Sequence, residues 1–151
     1  MLFKIAATAV LTLALIGTAS ADRDGMRTIQ SHHDAQTTAE RLVDLVEERG
    51  MQVFQRIDHA AGAHALGESM PATELILFGH PRIGTALINC SRSIAMDLPM
   101  RSLIWEDDDG VWLAYNDMEY LAKRHELNDC NGMVQQVQEA LLGLVGTAAG
   151  R

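Results

Sequence analysis

At 151 residues and 16.5 kDa, with 48% hydrophobic, 21% charged and only 5% aromatic residues, the chain has room for one domain and too much apolar content for disorder. Its formal net charge of −8 repels phosphate backbones and argues against nucleic acid as a partner.

Residues 1–21 read as a secretory signal peptide. Lys4 supplies a short positive start, the run 5–16 is apolar apart from two threonines, and Ala19-Ser20-Ala21 has the small-x-small pattern a signal peptidase requires. The greasy run is too short to span a bilayer and no stop-transfer segment follows, so no stable membrane anchor is expected. Cleavage near Ala21 leaves residues 22–151 in the periplasm or secreted. Lys4 is the only charge in the leader, so the remainder carries 11 of the 12 basic residues against all 20 acidic ones, a net −9.

In chain order, 25–30 alternates weakly and predicts a short strand. Asp34 then offers an N-cap to a helix over 35–49, with Thr38, Leu42, Leu45 and Val46 on its inner face and Gly50 ending it. Residues 51–58 predict a strand with Val53 and Ile57 on one face. The alanine- and glycine-rich stretch 59–70 predicts a loop with one helical turn. Residues 73–78 predict a strand buried on both faces, since four apolar residues follow one another. A loop over 79–84 then feeds a helix near 85–90, and a further turn covers 93–97. Segments 100–106 and 111–116 flank Asp107-Asp108-Asp109-Gly110 and predict a hairpin. Helices are expected over 117–125 and 132–145, the latter with Met133, Val137, Leu141 and Leu144 on one stripe, and the tail 146–151 should fray. Five strands with helices between most of them predict a single α+β domain, with a mostly antiparallel sheet and helices packed mainly on one face.

Two cysteines remain after the leader, Cys90 and Cys130. In an exported chain they read first as one disulfide, with two free thiols or a redox pair as the other readings.

Several segments, taken together and in order, resemble domain-of-unknown-function family 302 from about residue 25 to residue 125. They are Arg56-Ile57-Asp58-His59-Ala60-Ala61-Gly62-Ala63, Pro71 through Pro81, Gly84-Thr85, Asp97-Leu98-Pro99, Trp105-Glu106-Asp107, Val111 through Asp117, and Tyr120 through His125. The resemblance implies a small α+β domain that self-associates as a homodimer and has no established activity. His80 departs from it, because the family generally carries asparagine there, and Arg82 stands where lysine is common. The cysteine pair and the segment after Leu127 read as particular to this branch.

Two places could carry chemistry. At Asp58-His59 a carboxylate beside an imidazole could raise its basicity and fix its tautomer, although neighbours on a strand point to opposite faces. The plainer role is a turn-capping Asp58. In the segment 79–85, a strand leads to a helix N-terminus, Arg82 could clamp a carboxylate or phosphate, and Thr85 adds a hydroxyl. Glu74, if enclosed, needs Arg56 or Arg82 as partner. Tyr115 could present its hydroxyl in a pocket, whereas Asp117 suits an N-cap and His125 a helix end. The six histidines lack His-x3-His or His-Glu-x-x-His spacing, and the acidic turn lacks an EF-hand's ligands, so no metal and no cofactor are expected. No Ser-His-Asp spacing, nucleotide fingerprint or heme motif shows along the chain.

These residues predict an exported homodimeric binding or accessory domain without catalysis. A small anionic or amphipathic ligand would lie between the sheet and segments 60–67 and 79–85, with Asp58, His59, Glu74, Arg82, Thr85 and Tyr115 as candidate contacts. The rivals are a small periplasmic enzyme using His59 as base and Arg82 as anchor, and a metal-handling periplasmic protein.

Overall fold

Residues 25–151 are described by a computed structural model. The expected leader and its cleavage point lie outside them. Five strands, β1 (Met26–Gln30), β2 (Gln52–Asp58), β3 (Thr73–Gly79), β4 (Met100–Asp107) and β5 (Gly110–Asn116), form one sheet in the order β1-β5-β4-β3-β2. Every neighbouring pair is antiparallel. Five helices join and cover them: α1 (Ala35–Glu48), α2 (His59–Ala65), α3 (Pro81–Cys90), α4 (Met118–His125) and α5 (Asn131–Ala148), with 3₁₀ turns at Arg92–Met96 and Asn128–Cys130. The predicted α+β class, the single domain and the antiparallel sheet all hold.

One face of the sheet holds the core. Successive residues of a strand point to opposite sides, and the register aligns Ile76, Phe78, Met100, Ile104, Leu113 and Tyr115 on the same side. All are buried, and they meet Leu42 and Val46 of α1, Leu121 of α4 and Leu141 and Leu144 of α5. Each large apolar side chain enclosed there contributes roughly 1.5–3 kcal/mol. Asp34 starts α1 as expected, its side chain accepting from the Thr37 amide at 2.7 Å.

The opposite face is different. Leu75, Leu77, Leu103, Trp105 and Trp112 alternate onto it and stay half-buried. The run 73–78 is therefore covered fully on one face only, against the expectation of two. The β2 expectation also needs correction. A bulge between Val53 and Gln55 sets Val53 opposite Phe78 and Ile57 opposite Leu75. The extra residue moves everything after it to the other face, so Val53 and Ile57 do not share one.

The helical turn expected within 59–70 is longer than one turn, and the loop expected over 79–84 is helical from Pro81. Asp58 caps α2 by accepting from the Ala61 amide at 2.9 Å, and the alanines that follow continue the helix. The helix expected from Thr85 starts at Pro81, because His80 caps it and proline at the first position needs no amide partner. The tail does not fray. Ala148 and Ala149 are buried, the Ala149 carbonyl accepts from the His32 amide at 2.9 Å, and Arg41 donates to the Thr147 carbonyl at 2.8 Å. Cys90 and Cys130 form a disulfide with 6.4 Å between their α-carbons, tying the end of α3 to the turn before α5.

Candidate functional site

A mostly apolar hollow opens beside α3, with a volume of about 580 Å³, within the range usual for small-molecule sites. Four elements build it. The first two turns of α3 supply Ile83, Gly84, Leu87 and Ile88, the end of β3 supplies Leu77 and Gly79, the bulge of β2 supplies Phe54, and Leu98-Pro99 close the far wall. A narrower extension of about 170 Å³ shares His80, Ile83, Met100 and Val137 and runs towards Met133 and Leu144 of α5. Phe54 and Ile83 are both exposed, at 50% and 37%, although large and apolar.

Polar groups in this groove are few. Nδ1 of His80 accepts from the Arg82 amide at 3.2 Å, which leaves Nε2–H as the ring's donor. Thr85 adds a hydroxyl. Such a lining suits an apolar body carrying one acceptor group.

The candidate residues do not gather there. Thr85 lines the groove. Arg82 is exposed on the first turn of α3 and does not line it. Asp58 and Glu74 are register partners on β2 and β3 and border a separate cavity of about 340 Å³ with Arg56. Glu74 finds its expected counter-ion there: Arg56 Nη2 donates to Glu74 Oε2 at 3.0 Å, and this pairing holds the guanidinium pKa above its ordinary value. His59 is exposed at the start of α2, and the Asp58 side chain beside it caps that helix. Tyr115 lies buried at the β5 end of the core, its phenol pKa pushed up mainly by burial. A pocket joining His59, Arg82 and Glu74 is thus not what the fold builds. Among the described residues no three His, Cys, Asp or Glu side chains come together as metal ligands.

What the residue order did not disclose is the apolar lining. Ile83, Leu87 and Ile88 recur at helical spacing, and reading the helix from Pro81 would have set them on one stripe. Phe54 carried no such signal, since its direction depends on the bulge.

Residues 27–145 match the family described as Domain of unknown function DUF302. The chain is also similar to the fluoride-specific ion channel FluC 1 of Brucella suis biovar 1 (strain 1330), 48% identical over 104 residues that make up 68% of this chain and 41% of that protein. FluC 1 of Brucella abortus biovar 1 (strain 9-941) matches at 48% over 104 residues, 38% of its length. The chain thus spans about two fifths of the curated relatives it matches. Among solved structures it is similar to the uncharacterized conserved protein DUF302 from Bacillus stearothermophilus, with a TM-score of 0.70 over 83% of this chain and 96% of that one. At 10% identity that likeness shows the fold. Among the described residues no helix is long and apolar enough to cross a membrane.

Proposed function

The chain belongs to the family Domain of unknown function DUF302, and from that premise we propose that it is an exported binding domain for a small amphipathic molecule, working as a homodimer. The groove of about 580 Å³ beside α3 carries this reading. Its apolar walls fit a hydrocarbon body, and His80 Nε2–H together with Thr85 fits a carboxylate or carbonyl head. Arg82 stands outside it, so apolar contact rather than a charge clamp supplies the affinity.

Dodecanoate is the test ligand. Displacement of 1-anilinonaphthalene-8-sulfonate with a midpoint on the order of micromolar supports the reading. The absence of both displacement and a rise in melting temperature overturns it. Self-association is supported by the half-buried apolar face bearing Leu75, Leu103, Trp105 and Trp112.

A second reading, an accessory role beside a membrane ion channel, draws on the 48% identity to proteins named as fluoride channels. A strain lacking this chain is then more sensitive to fluoride than its parent. Equal sensitivity ends that reading.

A further inference from the structure

Two residues of the segment after α3 meet a third that is distant in sequence. His125, the last residue of α4, has its Nε2 2.7 Å from Asp97 Oδ2 and its Nδ1 2.9 Å from Ser93 Oγ. His125 and Asp97 are buried, with 6% and 7% exposure, while Ser93 is exposed on the 3₁₀ turn Arg92–Met96.

The chemistry of the chain of bonds is directional. A carboxylate oxygen accepts, so the imidazole nitrogen facing Asp97 carries the ring proton. Nδ1 is then a lone-pair acceptor, and the Ser93 hydroxyl must donate to it. A nucleophile pointing outward, a base behind it and a carboxylate fixing the tautomer are the three roles that define an activated serine, whatever the sequence order. Arg124 Nη1, 3.4 Å from the same Asp97 oxygen, helps hold the carboxylate in place. If His125 served only to staple α4 to the turn, its bond to Asp97 would suffice, and no reachable hydroxyl would be needed on Nδ1.

We infer that Ser93, His125 and Asp97 form a nucleophilic site that takes small uncharged carboxylic esters. Ser93 Oγ forms a bond to the ester carbonyl carbon as its proton passes to His125 Nδ1. The carbon–alkoxy bond then breaks, and the alcohol leaves with that proton. Water, deprotonated by the same nitrogen, cleaves the acyl-serine to give the free acid and restore Ser93. Ala95 and Leu98 of the same segment line the apolar groove, but the site does not depend on the groove being occupied. Ser93 and His125 act on the reacting atoms; Asp97 is a positioning residue.

The test uses the disulfide-bonded chain with diisopropyl fluorophosphate and p-nitrophenyl acetate. The expected result is one diisopropylphosphoryl adduct, mapped to Ser93, and ester hydrolysis that falls to the buffer rate in Ser93→Ala. Asp97→Asn is expected to lower kcat by roughly 10⁴-fold with little change in KM, because it frees the imidazole to turn its proton towards Ser93. Since Ser93 is exposed, its alanine variant should keep the fold, which circular dichroism checks. Equal hydrolysis by the parent and a folded Ser93→Ala, or an adduct on any other residue, overturns the inference.

Discussion

Asp107 shows how one side chain can organise a surface. Its Oδ1 accepts from Trp112 Nε1 at 2.9 Å and its Oδ2 from Trp105 Nε1 at 3.1 Å, while the indoles stack with centroids 6.4 Å apart. The Trp112 bond, helped by Trp105 and by backbone amides, holds the Asp107 pKa below its ordinary value. Because the folded value is the lower one, this contribution is present above the ordinary carboxylate range and is lost as pH falls through the depressed folded value. Tryptophan emission should therefore shift in acid below about pH 4, and Trp112→Phe should weaken that shift. At Asp117, Oδ1 caps α4 through the Tyr120 amide at 2.9 Å, and Oδ2 meets Arg27 and Gln138. Asp117→Ala should cost about 3 kcal/mol in urea unfolding, since it removes a cap and strands two donors. Gly84 gives the opposite sign. A Cβ there meets nothing within 4 Å, so Gly84→Ala should stabilise α3 by about 1 kcal/mol, and Gly84→Leu should fill the groove and abolish dodecanoate binding.

Among the elements, the end of α3 and the start of α5 are tied by a covalent bond. The disulfide closes a loop of 40 residues between them. Reducing it should lower stability by about 4 kcal/mol in the chain-entropy account, measurable as a shift in the urea midpoint with and without reductant. The last turn of α5 is held by the His32 amide and by Arg41, and it buries Ala148 and Ala149. Deleting residues 147–151 should cost about 3 kcal/mol, the sum of a few hydrogen bonds and two buried methyl groups. A fraying tail would have cost nothing. The expectation of fraying came from the segment's terminal position alone, whereas its small residues are what a close approach between α5 and the start of α1 requires.

For the molecule as a whole, the sheet is loaded on one side. Helices bury one face, while the other carries a stacked tryptophan pair and three leucines in half-exposed positions. The proposed dimer places two such faces together. Trp112→Lys should then give a monomer by sedimentation velocity with unchanged circular dichroism, and a parent chain that is itself monomeric at tens of micromolar would end that proposal.

Local chemistry was legible in the residue order. Asp34, Asp58 and Asp117 each cap a helix through an amide three residues on, and the hairpin of β4 and β5 follows from two apolar runs around an acidic turn. Signals of that kind span three or four residues and need no knowledge of the rest. Other features were decided only by tertiary structure. The bulge at Phe54 reverses the faces of β2, the groove exists because α3 meets Leu98-Pro99, and Ser93 and Asp97 reach His125 across 32 and 28 residues. Contacts of that reach are fixed by how the helix layer settles on the sheet, because the energy that selects them comes from burial of the whole core rather than from any neighbouring residue.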